Sequence, residues 1–549
     1  MTKLDELVSC FITFLFFGVF SLSVSAQVLE AEKWRADLAY MAREMPITHK
    51  DLFHSMSRES FDAAVKRLDE RIPTLKRNQI IVEMMKIVAM VGDGHSNIYP
   101  TRDPKIGFHS LPIKLYLFKD GMFVRAADNA HADLVGARVI KIGPASPEEA
   151  ITQVAPAIGH DNKMGIRFFA PALLAIPEVL NAIGLSEKDD RATFVIEKNG
   201  RQQTVELSAN GPVELMGDDT DISWIAKEGW TDMRDGTKTP LWLRDPSDLY
   251  WYQILPGTKT VYAQINQVQN KKDESLADFS RKLLSYVESS GADRLVIDLR
   301  LNRGGNGEFL RPLEIALIKS KIDLPGKLFF LIGRSTWSAA QFFLNWAEKF
   351  TNVVFVGEPS GSKGNVYGDS RKITLPNSGI SARVSVYYWQ DWSPWDTRSW
   401  TAPQIAAELS SSDYAAGSDP ALEAALTYKS RKPLADLLNE ALDSGGIELA
   451  QRRYIEFKAE PVNKYYPTEQ PLLIVGQRLL NEKKPADALK LFLLDIRDDP
   501  TSYRGYFAAG AAYSEMGEKK QAIENLQRAL DLDPKNYDVS HLLRSLQEK

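Results

Sequence analysis

The sequence predicts an α/β protein of several domains, and three observations carry that expectation. Between about residues 213 and 430, apolar runs of strand character alternate with amphipathic stretches, the order of a mixed or parallel sheet covered by helices. Ahead of this lie a helix-patterned region, 27–103, and a set of short strand-like runs separated by turn residues, 104–212. Behind it, over 431–549, the chain repeats itself with a 34-residue period.

Composition bounds the rest. A length of 549 residues suits about three or four domains, and 44% apolar with 25% charged residues is ordinary globular material. A formal net charge of −5 gives no electrostatic footprint for nucleic acid. Residues 1–26 read as a cleaved signal peptide: Lys3, an apolar run from Phe11 to Phe20, then SLSVSA, with Val24 and Ala26 fitting the small-residue rule before Gln27. The expected location is secreted or periplasmic. The apolar run is too short to favour a membrane span. Cys10, the only cysteine, falls inside that leader, so the mature chain would lack thiols, disulfides and thiolate metal sites. No metal or cofactor is expected.

In chain order, AEKWRADLAYMAREM (31–45) and ESFDAAVKRLDERI (59–72) carry apolar residues at helical spacing. NQIIVEMMKIVAMVGDGHS (78–96) runs from a helix into a loop of Asp93, Gly94, His95 and Ser96, where His95 reads first as a loop histidine. LPIKLYLF, GMFVRAAD and ARVIKIG then read as strands, and Asn199-Gly200 as a hairpin turn. DLVGARVIKIGPASPEEA (133–150) resembles the part of a PDZ domain where a strand crosses into a short helix.

Strand candidates TVYAQINQV, RLVIDL, KLFFLI and NVVFV follow, with a helix at SLADFSRKLLSYVESS. The helix from Ala339 to Phe350 places Ala339, Phe342, Phe343, Trp346, Ala347 and Phe350 on one face. Ser338 stands at its start, where free N–H groups stabilise negative charge. Gly304 and Gly305 lie in the loop after a neighbouring strand. A serine at a helix start beside backbone donors is what acyl transfer needs. Each piece also has an ordinary reading, an N-cap serine and a glycine turn. The aromatic stretch Trp389, Trp392, Trp395 and Trp400, near Asp391 and Asp396, suits either packing or substrate contact. In the repeats, Gly476/Gly510, Ala488/Ala522 and Pro500/Pro534 recur in register with Leu472/Tyr506, Leu479/Tyr513 and Phe492/Leu526, the tetratricopeptide pattern.

Over roughly 30–428, the order of DGHS (93–96), DLRLNRGG (298–305), SAAQ (338–341) and GEPSGSKG (357–364) resembles the carboxyl-terminal processing (tail-specific) serine proteases and their tricorn-like and retinoid-binding-protein-like relatives. YGDSRKITLPNSGI and SDYAAGSDPALEAAL resemble the secreted tricorn-like branch, which often carries appended tetratricopeptide repeats. The resemblance implies a Clp/crotonase-like catalytic domain at 213–430, with Ser338 as nucleophile. Its base is His95 by the tricorn-like pattern or Lys363 by the tail-specific pattern, 25 residues after Ser338. A lysine base needs burial to shed its proton near neutrality, whereas a histidine titrates there unaided. His95 is favoured because DGHS and LPNSG resemble the tricorn-like branch.

The Ala339 amide with that of Gly304 or Gly305 would hold the oxyanion. The family's orienting glutamate has no counterpart between Glu358 and Glu408, leaving Asp391 or Asp396 to replace it. PSGS stands where Pro-Thr-Gly-Gly is usual, and PQI (403–405) where Pro-Asp-Ile is. The expected function is a secreted serine peptidase acting on peptides or unfolded proteins, with a protein partner on the repeats. The alternative is a weak or inactive protease-like scaffold that binds partners through its PDZ-like and tetratricopeptide surfaces.

Overall fold

The structure, a computed structural model, describes residues 30–214, 224, 227–234, 236–391, 393–394 and 396–548. The signal-peptide reading, Trp392 and Trp395 lie outside the described residues. The chain divides into two compact units, one running to Thr401 and including Glu408–Leu426, the other formed by Ala402–Ala407 and Thr427–Lys549.

The first unit opens with helices α1 (30–48), α2 (Arg58–Arg71) and α3 (Arg77–Ala89). Ser57 caps α2 by accepting the Ser60 N–H. α3 buries Ile80, Ile81, Val82, Met84, Met85, Ile87 and Val88, so it is apolar nearly all round and needs cover on every side. It leads directly into the loop that carries His95.

Strands β1 (Ile113–Phe118), β2 (Gly121–Asp128) and β3 (Arg138–Ile142) come next, then helices α4 (Pro147–Val154), α5 (Lys163–Leu173) and α6 (Pro177–Ala182). Strands β4 (Arg191–Lys198) and β5 (Arg201–Ser208) complete a sequential antiparallel sheet, and β6 (Trp230–Asp232) pairs with β2. The β4–β5 turn holds Asn199 at φ 53° and Gly200 at φ 74°, as the Asn-Gly pair predicts.

One core joins these parts. Phe61, Met84 and Val88 of the helices pack with Val124, Val139 and Phe194 of the sheet and with Ile373, Ala382 and Val384 from much later in the chain. The helical region and the β-rich region, which the sequence divides at 103/104, therefore bury their apolar surface together.

The central sheet contains β7 (Tyr250–Ile254), β8 (Thr260–Ile265), β9 (Arg294–Asp298), β10 (Leu328–Ile332) and β11 (Val354–Gly357), ordered β11-β10-β9-β8-β7. Strands β8 to β11 run parallel and β7 pairs antiparallel with β8. Helices α7 (Leu276–Ser289), α8 (Arg311–Lys319) and α9 (Ala339–Phe350) make the crossovers. Every position of β10, Leu-Phe-Phe-Leu-Ile, is buried, the pattern of a parallel strand covered on both faces. Parallel register puts the carboxyl ends of β9, β10 and β11 side by side, so the loops 299–306, 333–338 and 358–365 emerge together. A hairpin of β12 (Val366–Thr374) and β13 (Ser381–Trp389) follows, with short helices α10 (Ser411–Ala415) and α11 (Pro420–Leu426).

The second unit is helical: α12 (Leu434–Ala459, interrupted at Gly446), α13 (Glu469–Asn481), α14 (Pro485–Asp498), α15 (Tyr503–Glu515), α16 (Lys519–Leu532) and α17 (Tyr537–Gln547). The 34-residue register has a direct cause. A Cβ on Gly476 would lie 2.2 Å from Phe492, and one on Gly510 would lie 2.8 Å from Leu526. Each repeat thus sets a glycine of its first helix under a large side chain of its second. No described helix is long and apolar enough to cross a membrane.

Candidate active site

The turn after β10 is built from its own hydrogen bonds. The Gly333 N–H donates to Thr336 Oγ1 (3.0 Å), whose hydroxyl donates to the Leu299 carbonyl (2.8 Å), and the Trp337 N–H donates to the Asn302 carbonyl (3.0 Å). These contacts lock the turn to the β9 loop and leave Ser338 at φ 56°, ψ −124°, a conformation non-glycine residues rarely hold. Its side chain caps nothing in α9. Its Oγ lies 3.2 Å from His95 Nε2, and its N–H donates to Ser362 Oγ (3.2 Å).

His95 reaches the serine because Asp93 shapes its loop. Asp93 Oδ1 accepts the N–H groups of His95 (2.8 Å) and Ser96 (2.6 Å) and the Ser385 hydroxyl (2.9 Å), while Oδ2 faces His49 Nε2 at 2.9 Å. Burial pushes the Asp93 carboxyl up, but hydrogen bonds from His49 and Ser96 with the field of both histidines outweigh it and hold it below its ordinary range. His95 Nδ1 is buried and hydrogen-bonds nothing among the described residues. The imidazole stacks on Trp337, centroids 4.4 Å apart and planes at 19°.

The structure does not bring Asp396 to His95. Its carboxylate is held by Arg398, through Nε at 3.0 Å and Nη2 at 2.8 Å, and Arg398 also reaches Glu348 of α9. That pair secures the segment after β13 to α9, so the orienting acid expected from Asp391 or Asp396 is missing from the imidazole. Lys363 is half-buried and makes no hydrogen bond or ion pair with a described residue. Its charge acts at His54, which burial above all, together with His49 and Lys363, holds below its ordinary value against Asp51 and Asp93.

The glycine loop also departs from the expectation in one detail. Gly304, at φ 99°, passes so close to the nucleophile that a Cβ would fall 2.6 Å from Ser338 Cβ and 2.9 Å from the Ala339 nitrogen. Its own N–H donates to Asn302 Oδ1 (2.9 Å) and is therefore occupied. Gly304 contributes space rather than a donor. The amides of Gly305, exposed on the loop, and of Ala339, in the first turn of α9, remain the candidate oxyanion donors.

The other motif residues hold the loops. Asp298 accepts the Tyr262 hydroxyl (2.7 Å), Arg300 bridges Asp298 and Asp419 (2.8 Å to each Asp419 oxygen), and Asn302 Nδ2 donates to the Ile265 carbonyl (2.9 Å). Arg334 Nε donates to Glu358 (2.8 Å), joining the β10 and β11 loops. In the β12–β13 hairpin, a Cβ on Gly368 would come 3.6 Å from His95 Cε1 and 3.3 Å from Trp389 Cδ1. Tyr387, Tyr388 and Trp389 are exposed on this edge, and Trp389 Nε1 donates to Asp369 Oδ2 (3.0 Å). Among the described residues, no group of three or more His, Cys, Asp or Glu is arranged to hold a metal.

The fold is mixed α/β with a helical segment behind it, and residues 503–536 match the tetratricopeptide repeat model. Among solved structures, a CPAF mutant superposes with a TM-score of 0.51 at 10% identity, covering 74% of this chain and 99% of that one. The photosystem II D1 C-terminal processing protease aligns at 14% identity and a TM-score of 0.33 over 71% of this chain and 98% of its own. At 10% identity the likeness to the CPAF mutant concerns the fold alone. The curated relative SLOW GREEN 1, a chloroplastic protein of Arabidopsis thaliana, is 32% identical over 73 residues, 13% of this chain. The chain spans only 23% of that relative's length.

Proposed function

We propose that the protein is a serine peptidase with Ser338 as nucleophile and His95 as general base, exported by the leader read in residues 1–26. The observation that carries this is the 3.2 Å approach of His95 Nε2 to an Oγ held in a strained turn at the head of a helix. In the reaction, Oγ attacks the peptide carbonyl carbon while its proton passes to Nε2. The oxyanion forms beside the Ala339 and Gly305 amides, and collapse expels the amine, which takes the proton back from His95. Water, deprotonated by the same nitrogen, then releases the acyl group and restores the serine. The aromatic edge of Tyr387, Tyr388 and Trp389 offers an extended peptide a surface beside His95. The helical repeats offer a protein partner a second one.

The unpartnered His95 Nδ1 favours a second reading, a scaffold with weakened chemistry. A fluorophosphonate probe separates the two. Labelling of the wild type but not of Ser338→Ala supports the peptidase, and absence of labelling in both supports the scaffold.

A further inference from the structure

A histidine base is commonly fixed from its far nitrogen by a carboxylate, which sets the tautomer and offsets the imidazolium charge formed during turnover. Nothing does so here, since His95 Nδ1 is buried without a partner among the described residues. The ring has a different support, the indole of Trp337 stacked at 4.4 Å. That indole is pinned in turn. Trp337 Nε1 donates to Asp161 Oδ2 (3.0 Å), and Asp161 Oδ1 accepts the Gly94 N–H (2.9 Å). One carboxylate therefore grips both the aromatic plate and the loop that bears the base.

The fit around this assembly leaves no slack. A Cβ on Gly94 would lie 2.4 Å from Trp337 Cζ2, and one on Gly159, two residues before Asp161, would lie 2.1 Å from the Ser96 carbonyl oxygen. Phe169 meets the indole edge-on at 6.4 Å. Gly368 approaches His95 from β12 without a side chain of its own.

We propose that Trp337 and Asp161 are positioning residues that take over, for His95, the work of the absent carboxylate. This rests on the serine-peptidase reading. The indole face prevents the imidazole from swinging out of the line to Ser338, a torsion that is otherwise broad. It also faces the positive charge that appears when Nε2 takes the serine proton, and indole is the strongest aromatic partner for a cation. Asp161 keeps the plate and the loop in one register.

The test uses the full chain with Trp337→Leu and Trp337→Phe, compared by kcat, KM, rate of fluorophosphonate acylation and thermal unfolding. Leucine should lower kcat and the acylation rate by about 100-fold, the scale of a misplaced catalytic group, with KM nearly unchanged. Its loss of thermal stability should be no greater than phenylalanine's, since both give up the bond to Asp161. Phenylalanine, which keeps an aromatic face, should recover at least about tenfold of that loss. Equal losses in both variants, or a change confined to KM, would overturn the proposal. A readout independent of turnover is the proton NMR of the His95 ring, assigned by its loss in His95→Ala. Its signals should lie upfield from the indole ring current and move downfield in Trp337→Leu. If they do not, the stack is absent and the proposal fails. If the wild type shows the shift but never labels, it is the peptidase reading that fails.

Discussion

Ser338 occupies backbone space that a side chain enters at a cost of about 1–3 kcal/mol, so the fold pays to present this hydroxyl. Ser338→Gly should unfold at a higher temperature than Ser338→Ala, and both should lack peptidase activity, as calorimetry and a peptide assay would read. Ser335, three residues earlier, is 6% exposed with an Oγ that has no hydrogen-bond partner among the described residues. Ser335→Ala removes a buried hydroxyl that bonds no described residue, so activity should persist and stability should hold or rise by up to about 1 kcal/mol. His95→Ala should lose most of the rate, on the order of 10²–10⁴ for a general base, whereas Lys363→Ala should stay within a few-fold of wild type. The reverse order would move the base to Lys363. Ser338 and His95 were both legible in the sequence, because each sits in a short motif beside a turn. The capture of the Gly304 amide by Asn302 was not, since glycines show where the backbone crowds and not where each N–H points. Trp337 directly precedes the serine and could have been singled out, but Asp161 carries no local signal at all.

Among the elements, β9, β10 and β11 matter most for the site, since their parallel register brings three motif loops to one edge. The alternation of apolar runs and amphipathic helices was enough to foresee that arrangement. What the pattern left open was which partners α3 would find. A helix apolar nearly all round demands burial without naming its neighbours. The structure supplies them from α2, α6 and the turn at 155–157, within a core shared with the β1–β5 sheet and the β12–β13 hairpin. The exposed end of that hairpin makes a separable prediction. Trp389 is 47% exposed, so Trp389→Ala should leave thermal stability within about 0.5 kcal/mol. It should raise KM for extended peptides several-fold while sparing the acylation rate with a small fluorophosphonate. Unchanged peptide kinetics would assign the aromatic edge to something other than substrate.

At the scale of the whole molecule, the two units should respond differently to pH. In the second unit, burial above all, with Glu469, Asp499 and Asp498 nearby, raises the Asp495 carboxyl to about 7 even though the Ser502 hydroxyl bonds it. An acid raised in the folded state favours folding when protonated. Its contribution is complete below the unfolded value of about 4 and is lost as pH rises through about 7. Hydrogen exchange in α14 and α15 should quicken over that window, by an amount on the order of 3–4 kcal/mol. Asp495→Asn, which keeps an acceptor for Ser502, should flatten the dependence. Asp93 in the first unit works the opposite way. Its lowered carboxyl contributes above about 4 and fails only as pH drops below that.

The shared core of the first unit also bears on the order in which the chain is made. The Asp37 carboxylate of α1 accepts the N–H groups of Asn377 and Ser378 (2.8 Å each), some 340 positions downstream. The ribosome has therefore finished both Ser338 and His95 before it delivers the hairpin that completes the core around them. A nascent chain halted near residue 360 would hold both side chains yet expose the apolar faces of α1 and α3, and should aggregate or recruit chaperones. Extending it through Trp389 should relieve that. Late closure of this kind leaves the Ser338–His95 pair without its surrounding core until the last strand of the hairpin has been made.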